Sequence, residues 1–175
     1  MQSLTWNDVP GWFTWPEIYD EAVMMAPEGA QFVELGTFCG RSACYLGQKI
    51  KDSGKTIYLD TVDNFTRSFG LTANAPLAFI ELCGLSDVVK LKAMHQLEAV
   101  GLYADKSLDF VFFDSDHTYE ATKAALLAYL PKMKPGSVIA GDDYSEKRFP
   151  GVVQAVDEVL PGREIRGSVF WYLVP

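Results

Sequence analysis

The feature that most constrains this chain is a regular alternation of short apolar runs with segments of helical periodicity, which begins at residue 31. The runs at 31–35 (QFVEL) and 108–113 (LDFVFF) are typical of strands covered on both faces. Such strand–helix repeats predict a doubly wound, mostly parallel α/β sheet with helices on both faces. The last two runs are separated only by Gly167 and Ser168, so we expect them to pair as a C-terminal antiparallel hairpin. The expected strands are the seven at 31–35, 56–62, 88–91, 108–113, 137–140, 164–166 and 169–173, and the expected helices between them lie at 41–51, 75–83, 95–103, 119–130 and 152–160.

The length of 175 residues and the apolar fraction of 49% fit a single domain, residues 1–175, with a full-sized core. This composition excludes an intrinsically disordered chain. Residues 1–30 form a leading segment with an expected helix at 16–25. The aromatic residues of this segment either pack the leading helix on the sheet or roof a ligand site, and they are Trp6, Trp12, Phe13, Trp15 and Tyr19.

Charge and cysteine content narrow the classes of partner. Lysine and arginine number 15 against 23 acidic residues, which gives a formal net charge of -8, and the basic residues do not cluster. Because such a chain repels phosphate backbones, we expect no nucleic-acid substrate. The apolar runs are too short to span a membrane, and the first ten residues do not have the pattern of a secretory signal. The three cysteines, Cys39, Cys44 and Cys83, lack metal-ligand spacing and are expected to be reduced thiols of a cytoplasmic protein.

A glycine-containing turn follows the first expected strand, in the sequence VELGTFCGRS at 33–42. Gly36 and Gly40 permit a tight turn whose backbone can lie close to a ligand. The free amides at the start of the next helix favour a negative group. A dinucleotide fingerprint requires a glycine where this chain has Phe38, whose side chain would block a pyrophosphate. The turn therefore argues against NAD.

Two acidic residues accompany this turn. Glu34 lies inside an apolar strand, where a carboxylate is costly unless it is paired. Asp63 ends the second strand, at a position where an acid commonly accepts hydrogen bonds from ribose hydroxyls. Asp60 competes for that role from within the strand. An acid near a sugar and another near an amino group suit a nucleoside with an amino-acid tail.

In these residues the chain resembles the class I S-adenosylmethionine-dependent methyltransferases, family 24 type, which are akin to cation-dependent O-methyltransferases. The resemblance extends from Gly11-Trp12-Phe13 to about Val159 and implies a Rossmann-like methyltransferase fold. It also implies the contacts to S-adenosylmethionine: Glu34 and the turn residues Gly36, Thr37, Phe38 and Gly40 at the methionine part, Asp63 at the ribose, Asn64 or Phe65 along the adenosine, His95 and Gln96 at the adenine, and Ser42 and Asp114 elsewhere in the site.

Acidic residues also follow the fourth and fifth expected strands. Asp114 comes directly after LDFVFF, and Asp142 and Asp143 follow the strand at 137–140. If those strands are neighbours, the three carboxylates converge, and their mutual repulsion favours a bound cation. Oxygen ligands suit Mg²⁺ or a similar divalent cation, and the family resemblance implies acids at these positions. The alternative is that they are ordinary polar strand ends, with Asp116 as a helix cap.

His117 lies three residues after Asp114 and is the candidate catalytic residue. An imidazole titrates near neutrality, so His117 could take a proton from a hydroxyl group. Catechol-modifying relatives have a lysine at the matching position and sugar-modifying relatives a histidine, so the resemblance favours a sugar or another alcohol as methyl acceptor. The alternative is that His117 caps the helix that starts from Thr118.

Together these features predict an S-adenosylmethionine-dependent, Mg²⁺-assisted O-methyltransferase that acts on a hydroxyl of a small molecule, such as a sugar, another alcohol or a phenol. One competing hypothesis is a non-catalytic S-adenosylmethionine-binding domain. Another is a metal-dependent hydrolase, which leaves Glu34 and Asp63 unexplained. Contacts to the acceptor are expected from the N-terminal aromatic residues, from residues 65–75 and 144–151, or from a second subunit of a homo-oligomer.

Overall fold

The computed structural model describes residues 4–66 and 70–175. Its seven-stranded sheet is formed by β1 (Ala30–Leu35), β2 (Ile57–Val62), β3 (Val89–Lys92), β4 (Leu108–Phe113), β5 (Met133–Gly141), β6 (Glu164–Arg166) and β7 (Val169–Leu173). The strand order is β3-β2-β1-β4-β5-β7-β6. Strands β1 to β5 pair in parallel, and β7 is antiparallel to both β5 and β6. The predicted α/β sheet with a C-terminal antiparallel hairpin is confirmed.

Helices cover both faces of this sheet. In the described part of the chain they are α1 (Pro16–Met25), α2 (Arg41–Ser53), α3 (Asn74–Leu82), α4 (Gln96–Ala99), α5 (Tyr119–Tyr129) and α6 (Pro150–Val159), with short 3₁₀ helices at Trp6–Asp8, Val100–Leu102 and Leu130–Lys132. One cluster of buried apolar side chains joins α1, α2 and α3 to the sheet, and a second joins α4, α5 and α6 to its other face. None of the described helices is long and apolar enough to cross a membrane.

β4 shows how the sequence produces this two-faced core. Successive side chains of a strand point to opposite faces of the sheet. Phe110 and Phe112 therefore pack in the cluster with α1, whereas Val111 and Phe113 pack in the cluster with α5, and all four are buried. Because truncation of a buried phenyl ring costs about 3–5 kcal/mol, β4 contributes strongly to the stability of the sheet.

β5 is longer than expected. The sequence Lys134-Pro135-Gly136 predicts a turn before a strand at 137–140, yet the strand begins at Met133. Gly136 adopts a φ of 79°, and its N–H donates to the carbonyl of Val174 at 2.8 Å. The Pro-Gly segment is thus accommodated as an irregularity within the strand, since another backbone group satisfies the glycine amide.

The helix expected at 95–103 is shorter than its apolar periodicity indicates. It consists of α4 and the 3₁₀ helix Val100–Leu102. Val100 and Gly101 are both weak helix formers, which explains why the α-helix ends at Ala99.

The strand order reverses between β1 and β4, and ligands of open α/β sheets bind at such a point. Backbone hydrogen bonds continue beyond the strand ends there. The amide of Gly36 donates to the carbonyl of Val62, and the amide of Asp114 donates to the carbonyl of Leu35, both at 2.8 Å. The segments that follow β1, β2 and β4 are therefore held side by side at one edge of the sheet.

The N-terminal aromatic residues lie in two different surroundings. Trp15 and Tyr19 are buried and pack on Phe112, with ring centroids 5.3 and 5.0 Å apart, so they attach α1 to the sheet. Trp12 is 76% exposed and lies against Phe38 of the glycine turn at 5.6 Å. Trp12 therefore lies beside the glycine turn rather than in the core.

Candidate active site

The turn after β1 has a backbone that only particular residues can adopt. Gly36 has a φ of 99°, and a Cβ at this position would lie 1.8 Å from the carbonyl oxygen of Asp114. Only glycine allows this close approach of β1 to the segment after β4. Phe38 also has a positive φ, of 49°, which costs a non-glycine residue about 1–2 kcal/mol. Neighbouring groups must hold this strained turn in place.

Asp63 supplies part of that support. Its Oδ2 accepts hydrogen bonds from the backbone amides of Thr37 at 3.0 Å and Phe38 at 2.9 Å, and its Oδ1 accepts one from Phe65 at 2.7 Å. The acid predicted to bind ribose thus also closes the glycine turn onto the end of β2. Asp60, its competitor, accepts a hydrogen bond from the Tyr103 hydroxyl at 2.9 Å, within the strand.

Glu34 is buried beneath the same turn. Its two carboxylate oxygens accept hydrogen bonds from the hydroxyls of Tyr19 and Thr61, both at 2.7 Å. Burial raises the pKa of Glu34 to about 7, although the hydroxyls of Ser42, Thr61 and Tyr19 act in the opposite direction. The sequence expectation that this carboxylate requires partners is met by residues from α1 and β2.

The remaining predicted cofactor residues lie along the same edge of the sheet. Ser42 is buried in the first turn of α2, and Asn64 is exposed directly after Asp63. His95 is exposed at the start of α4, where its Nδ1 accepts a hydrogen bond from a backbone amide of that helix. Gln96 is buried, and its Oε1 accepts a hydrogen bond from the Ser115 hydroxyl, which joins α4 to the segment after β4. Of the acceptor-contacting segment expected at 65–75, residues 67–69 lie outside the described residues.

A compact group of ionisable side chains follows β4 and β5. One ligand atom each from Asp114, His117 and Asp143 lie within 4.8 Å of one another. Nε2 of His117 is 2.7 Å from Oδ2 of Asp143 and 3.7 Å from Oδ1 of Asp114. Although Nε2 is buried and close to these oxygens, it makes no aligned hydrogen bond to a described residue.

Neighbouring carboxylates dominate the electrostatics of this group. Burial raises the pKa of Asp114 to about 6, and repulsion by Asp142 and Asp143 acts in the same direction. The carboxylates of Asp114 and Asp143 raise the pKa of His117 to about 10, so the imidazole is protonated at neutral pH in this arrangement. His117 thus occupies the place that a cation could take among the carboxylates.

The donor set fits a divalent cation. Carboxylate oxygens converge there, and a buried imidazole nitrogen without an aligned partner faces them. Asp142 lies beside this group and lines the same small cavity, but its Oδ1 accepts a hydrogen bond from the Ser168 hydroxyl. The structure therefore groups His117, rather than Asp142, with Asp114 and Asp143.

Two neighbours fix the position of His117. Its ring lies 4.6 Å from the ring of Phe149, and a Cβ on Gly151 would lie 3.3 Å from the carbonyl oxygen of His117. The cap of α5 is the side chain of Thr118, whose hydroxyl accepts from an amide of the first turn at 3.3 Å. The interpretation of His117 as the helix cap is therefore wrong.

Sequence reasoning did not identify Thr61 as part of this site, and it named Tyr19 and Phe149 only within the wider aromatic and acceptor-contacting segments. Tyr19 is an aromatic residue of an amphipathic helix, and Thr61 is a β-branched residue of a strand, so each fits its element without any further role. The one available signal was Glu34 itself, because a carboxylate in an apolar strand demands hydroxyl or amide donors from neighbouring elements.

Comparison with known proteins gives the class of this chain. Residues 33–144, which run from β1 to the segment after β5, match the family described as a methyltransferase domain. The chain belongs to this family, and it is a class I S-adenosylmethionine-dependent methyltransferase. A comparison with curated proteins finds no match.

Solved structures share this fold at low sequence identity. A TDP-rhamnose 3'-O-methyltransferase of calicheamicin biosynthesis is 20% identical, with a TM-score of 0.66 over 90% of this chain and 76% of that one. A candidate caffeoyl-CoA O-methyltransferase from Staphylococcus aureus is 16% identical, with a TM-score of 0.72 over 97% and 87%. A candidate rRNA methylase from Clostridium thermocellum is 14% identical, with a TM-score of 0.66 over 95% and 99%. Because the acceptors named for these proteins differ, the shared fold does not select one.

Proposed function

We propose that this methyltransferase is an O-methyltransferase that acts on a hydroxyl group of a small molecule. The observation that carries this proposal is the group of Asp114, His117 and Asp143 next to the glycine turn. The close approach of Gly36 to the backbone of Asp114 brings a proton-accepting residue and carboxylates beside the expected methyl donor. Methylation of oxygen requires this combination, because the hydroxyl must lose its proton as it attacks the methyl carbon.

The donor would lie across the carboxyl ends of β1 and β2. The turn at 36–40 would contact its methionine part, Asp63 its ribose, and His95 and Gln96 its adenine. Within the described residues, Oδ1 of Asp63 accepts a single hydrogen bond, so it retains capacity for a ribose hydroxyl. The main contribution of the enzyme would be to hold the sulfonium methyl group in line with the acceptor oxygen.

His117 would receive the proton of the acceptor hydroxyl. The carboxylates that raise the pKa of His117 must first be neutralised, since the imidazole otherwise already holds a proton at neutral pH. Asp114 and Asp143 would hold Mg²⁺ or a similar divalent cation, and Asp142 would add a third carboxylate from the same cavity through the oxygen that Ser168 does not contact. When bound, the cation would supply Lewis-acid activation of the acceptor hydroxyl. The ring of Phe149 would keep the imidazole directed toward the acceptor.

The acceptor would be a sugar or another small alcohol, with a phenol as the alternative, since the family resemblance associates a histidine at the position of His117 with sugar-modifying relatives. The relative named for TDP-rhamnose methylation shows only that this fold can serve such an acceptor. The net charge of -8 argues against RNA, whose phosphates the chain would repel. Three free thiols are consistent with a cytoplasmic place of action.

The decisive experiment measures transfer of a labelled methyl group from S-adenosylmethionine to sugars, nucleotide sugars, catechols and RNA, each with Mg²⁺ and with chelator. Transfer to a small-molecule hydroxyl that depends on His117 supports the proposal. Transfer to RNA would contradict it. Binding of S-adenosylhomocysteine without transfer to any acceptor, including a small-molecule extract of cells, would favour the non-catalytic binding domain.

A further inference from the structure

A continuous chain of hydrogen bonds joins four buried side chains beneath the glycine turn. The Tyr19 hydroxyl donates to Oε1 of Glu34, and the Thr61 hydroxyl donates to Oε2, each at 2.7 Å. The hydroxyl oxygens of Thr61 and Thr37 are 2.6 Å apart. None of the four is more than 2% exposed, so water does not replace any of these partners.

When Glu34 is ionised, counting protons fixes the direction of these hydrogen bonds. A threonine hydroxyl carries one proton, and Thr61 gives its proton to Glu34. In the contact between the two threonines, Thr37 must therefore be the donor. Every hydroxyl in the chain points toward Glu34, which receives hydrogen bonds from both sides. The rotamer of Thr37 thus depends on a hydrogen bond that Glu34 orients through Thr61.

The chain of hydrogen bonds ends at Thr37, the residue that shapes the turn. Thr37 lies between Gly36 and Phe38, both of which have a positive φ. Its backbone N–H donates to Asp63 at 3.0 Å, while its hydroxyl is held by Thr61 from below. The turn is therefore fixed at Thr37 from two sides, and the lower support connects it to α1 through Glu34 and Tyr19.

We propose that Thr61 and Tyr19 are positioning residues for S-adenosylmethionine, which act through Glu34 and Thr37 to hold the glycine turn in its binding conformation. Glu34 is 1% exposed and lies beneath the turn, and each of its oxygens has a partner inside the protein, so Glu34 serves as the centre of these hydrogen bonds and acts on the methionine part through the turn. This assignment differs from the role that the family resemblance implies for Glu34. The proposal rests on the assignment of this protein to the methyltransferases and not on the nature of the methyl acceptor.

The test compares two substitutions at Thr61 in the full-length protein. Thr61→Val keeps the shape and removes the hydroxyl, whereas Thr61→Ser removes a buried methyl group and keeps the hydroxyl. Calorimetry with S-adenosylhomocysteine should show a Kd about 10-fold higher for Thr61→Val, the scale of one lost hydrogen bond, and within about 3-fold of wild type for Thr61→Ser. Thermal melts of both variants measure the accompanying loss of stability.

A purely structural role would give a different pattern. The loss of affinity would then follow the loss of melting temperature, so that Thr61→Ser would bind as weakly as an equally destabilised Thr61→Val. That result, or wild-type affinity in folded Thr61→Val, would overturn the proposal. Where a methyl acceptor is in hand, Thr61→Val should raise KM for S-adenosylmethionine and leave kcat within about 2-fold of wild type.

Three further variants keep the test decisive if Thr61→Val does not fold. Thr37→Val and Thr37→Ser repeat the comparison at Thr37, and Tyr19→Phe removes another hydroxyl donor to Glu34. We expect weaker binding for Thr37→Val and Tyr19→Phe and near-normal binding for Thr37→Ser; equal affinities in all three would contradict the proposal. Because these measurements need no acceptor, they remain interpretable even if the protein methylates no hydroxyl.

Discussion

Removal of the His117 side chain tests catalysis most directly. Its Nε2 lies close to the carboxylates of Asp114 and Asp143 and makes no aligned hydrogen bond to a described residue. If it accepts the hydroxyl proton, His117→Ala should lower kcat by roughly 10²–10⁴-fold and leave the Kd for S-adenosylhomocysteine near that of wild type. Single-turnover rates and melting temperatures measured on the same variant check this. A destabilised but fully active variant would remove His117 from the catalytic residues.

The carboxylate of Asp114 gives a second prediction at this scale. Asp114→Asn should abolish stimulation of methyl transfer by Mg²⁺, because the variant loses one negative ligand of the proposed cation site. Asp87→Asn is a matched control, since Asp87 is an exposed acid that pairs with Lys51 away from this edge of the sheet. Titration of activity with Mg²⁺ compares them, and full activity of wild type in excess chelator would argue against a metal.

Gly36, in the turn after β1, can be compared with Gly54, which follows the last residue of α2 and has a similar backbone conformation. Gly36 and Gly54 both have a positive φ, of 99° and 70°. A Cβ at Gly36 would lie 1.8 Å from the backbone of Asp114, whereas a Cβ at Gly54 meets nothing within 4 Å. Gly54→Ala should therefore cost only the backbone strain, about 1–2 kcal/mol of the free energy of unfolding.

Gly36→Ala should cost clearly more than Gly54→Ala and should also abolish cofactor binding, because relief of the clash must separate the turn from the segment after β4. Chemical denaturation measures the stability of both variants, and calorimetry measures the affinity of each for S-adenosylhomocysteine. Equal stability losses in the two variants would show that the close approach at Gly36 is not required.

Elements with a clear periodic pattern were predictable from the sequence, and elements decided by tertiary contacts were not. The alternation of Phe110 and Phe112 with Val111 identifies β4 as a strand buried on both faces, whatever surrounds it. In contrast, β5 extends through Pro135-Gly136 because Val174 accepts a hydrogen bond from the amide of Gly136 and donates one to the carbonyl of Ser137. The sequence around Pro135-Gly136 gives no indication of this contact with Val174.

At the scale of the whole molecule, the sheet topology places the acidic residues of the site, whereas contacts between distant elements place Tyr19. Neighbouring parallel strands bring Asp114 and Asp143 to one edge of the sheet, as the sequence order of strands and acids predicts. The hydrogen bond between Tyr19 and Glu34 joins a helix to a strand that lies 15 residues later. The orientation of Tyr19 depends on how α1 packs across the sheet, which no spacing in the sequence encodes.

The buried carboxylate of Glu34 also makes the stability of the whole molecule depend on pH. The folded pKa of Glu34 is about 7 and the ordinary value is 4.5, so the folded state holds this proton more tightly than the unfolded state. The corresponding stability is fully present below pH 4.5 and is lost as the pH rises toward 7. By linkage the loss amounts to about 3 kcal/mol of the free energy of unfolding.

Glu34→Gln should flatten this part of the stability curve, because an amide does not titrate and still accepts a hydrogen bond through its oxygen. Chemical denaturation between pH 4.5 and 7.5, in chelator to keep metal binding constant, gives the free energy of unfolding of wild type and variant. Glu81→Gln serves as the control, since Glu81 is exposed on α3 and should leave the slope unchanged. If wild type and Glu34→Gln lose stability in parallel across this range, Glu34 stays ionised in the folded protein, and its hydroxyl partners compensate for burial more completely than the raised pKa implies.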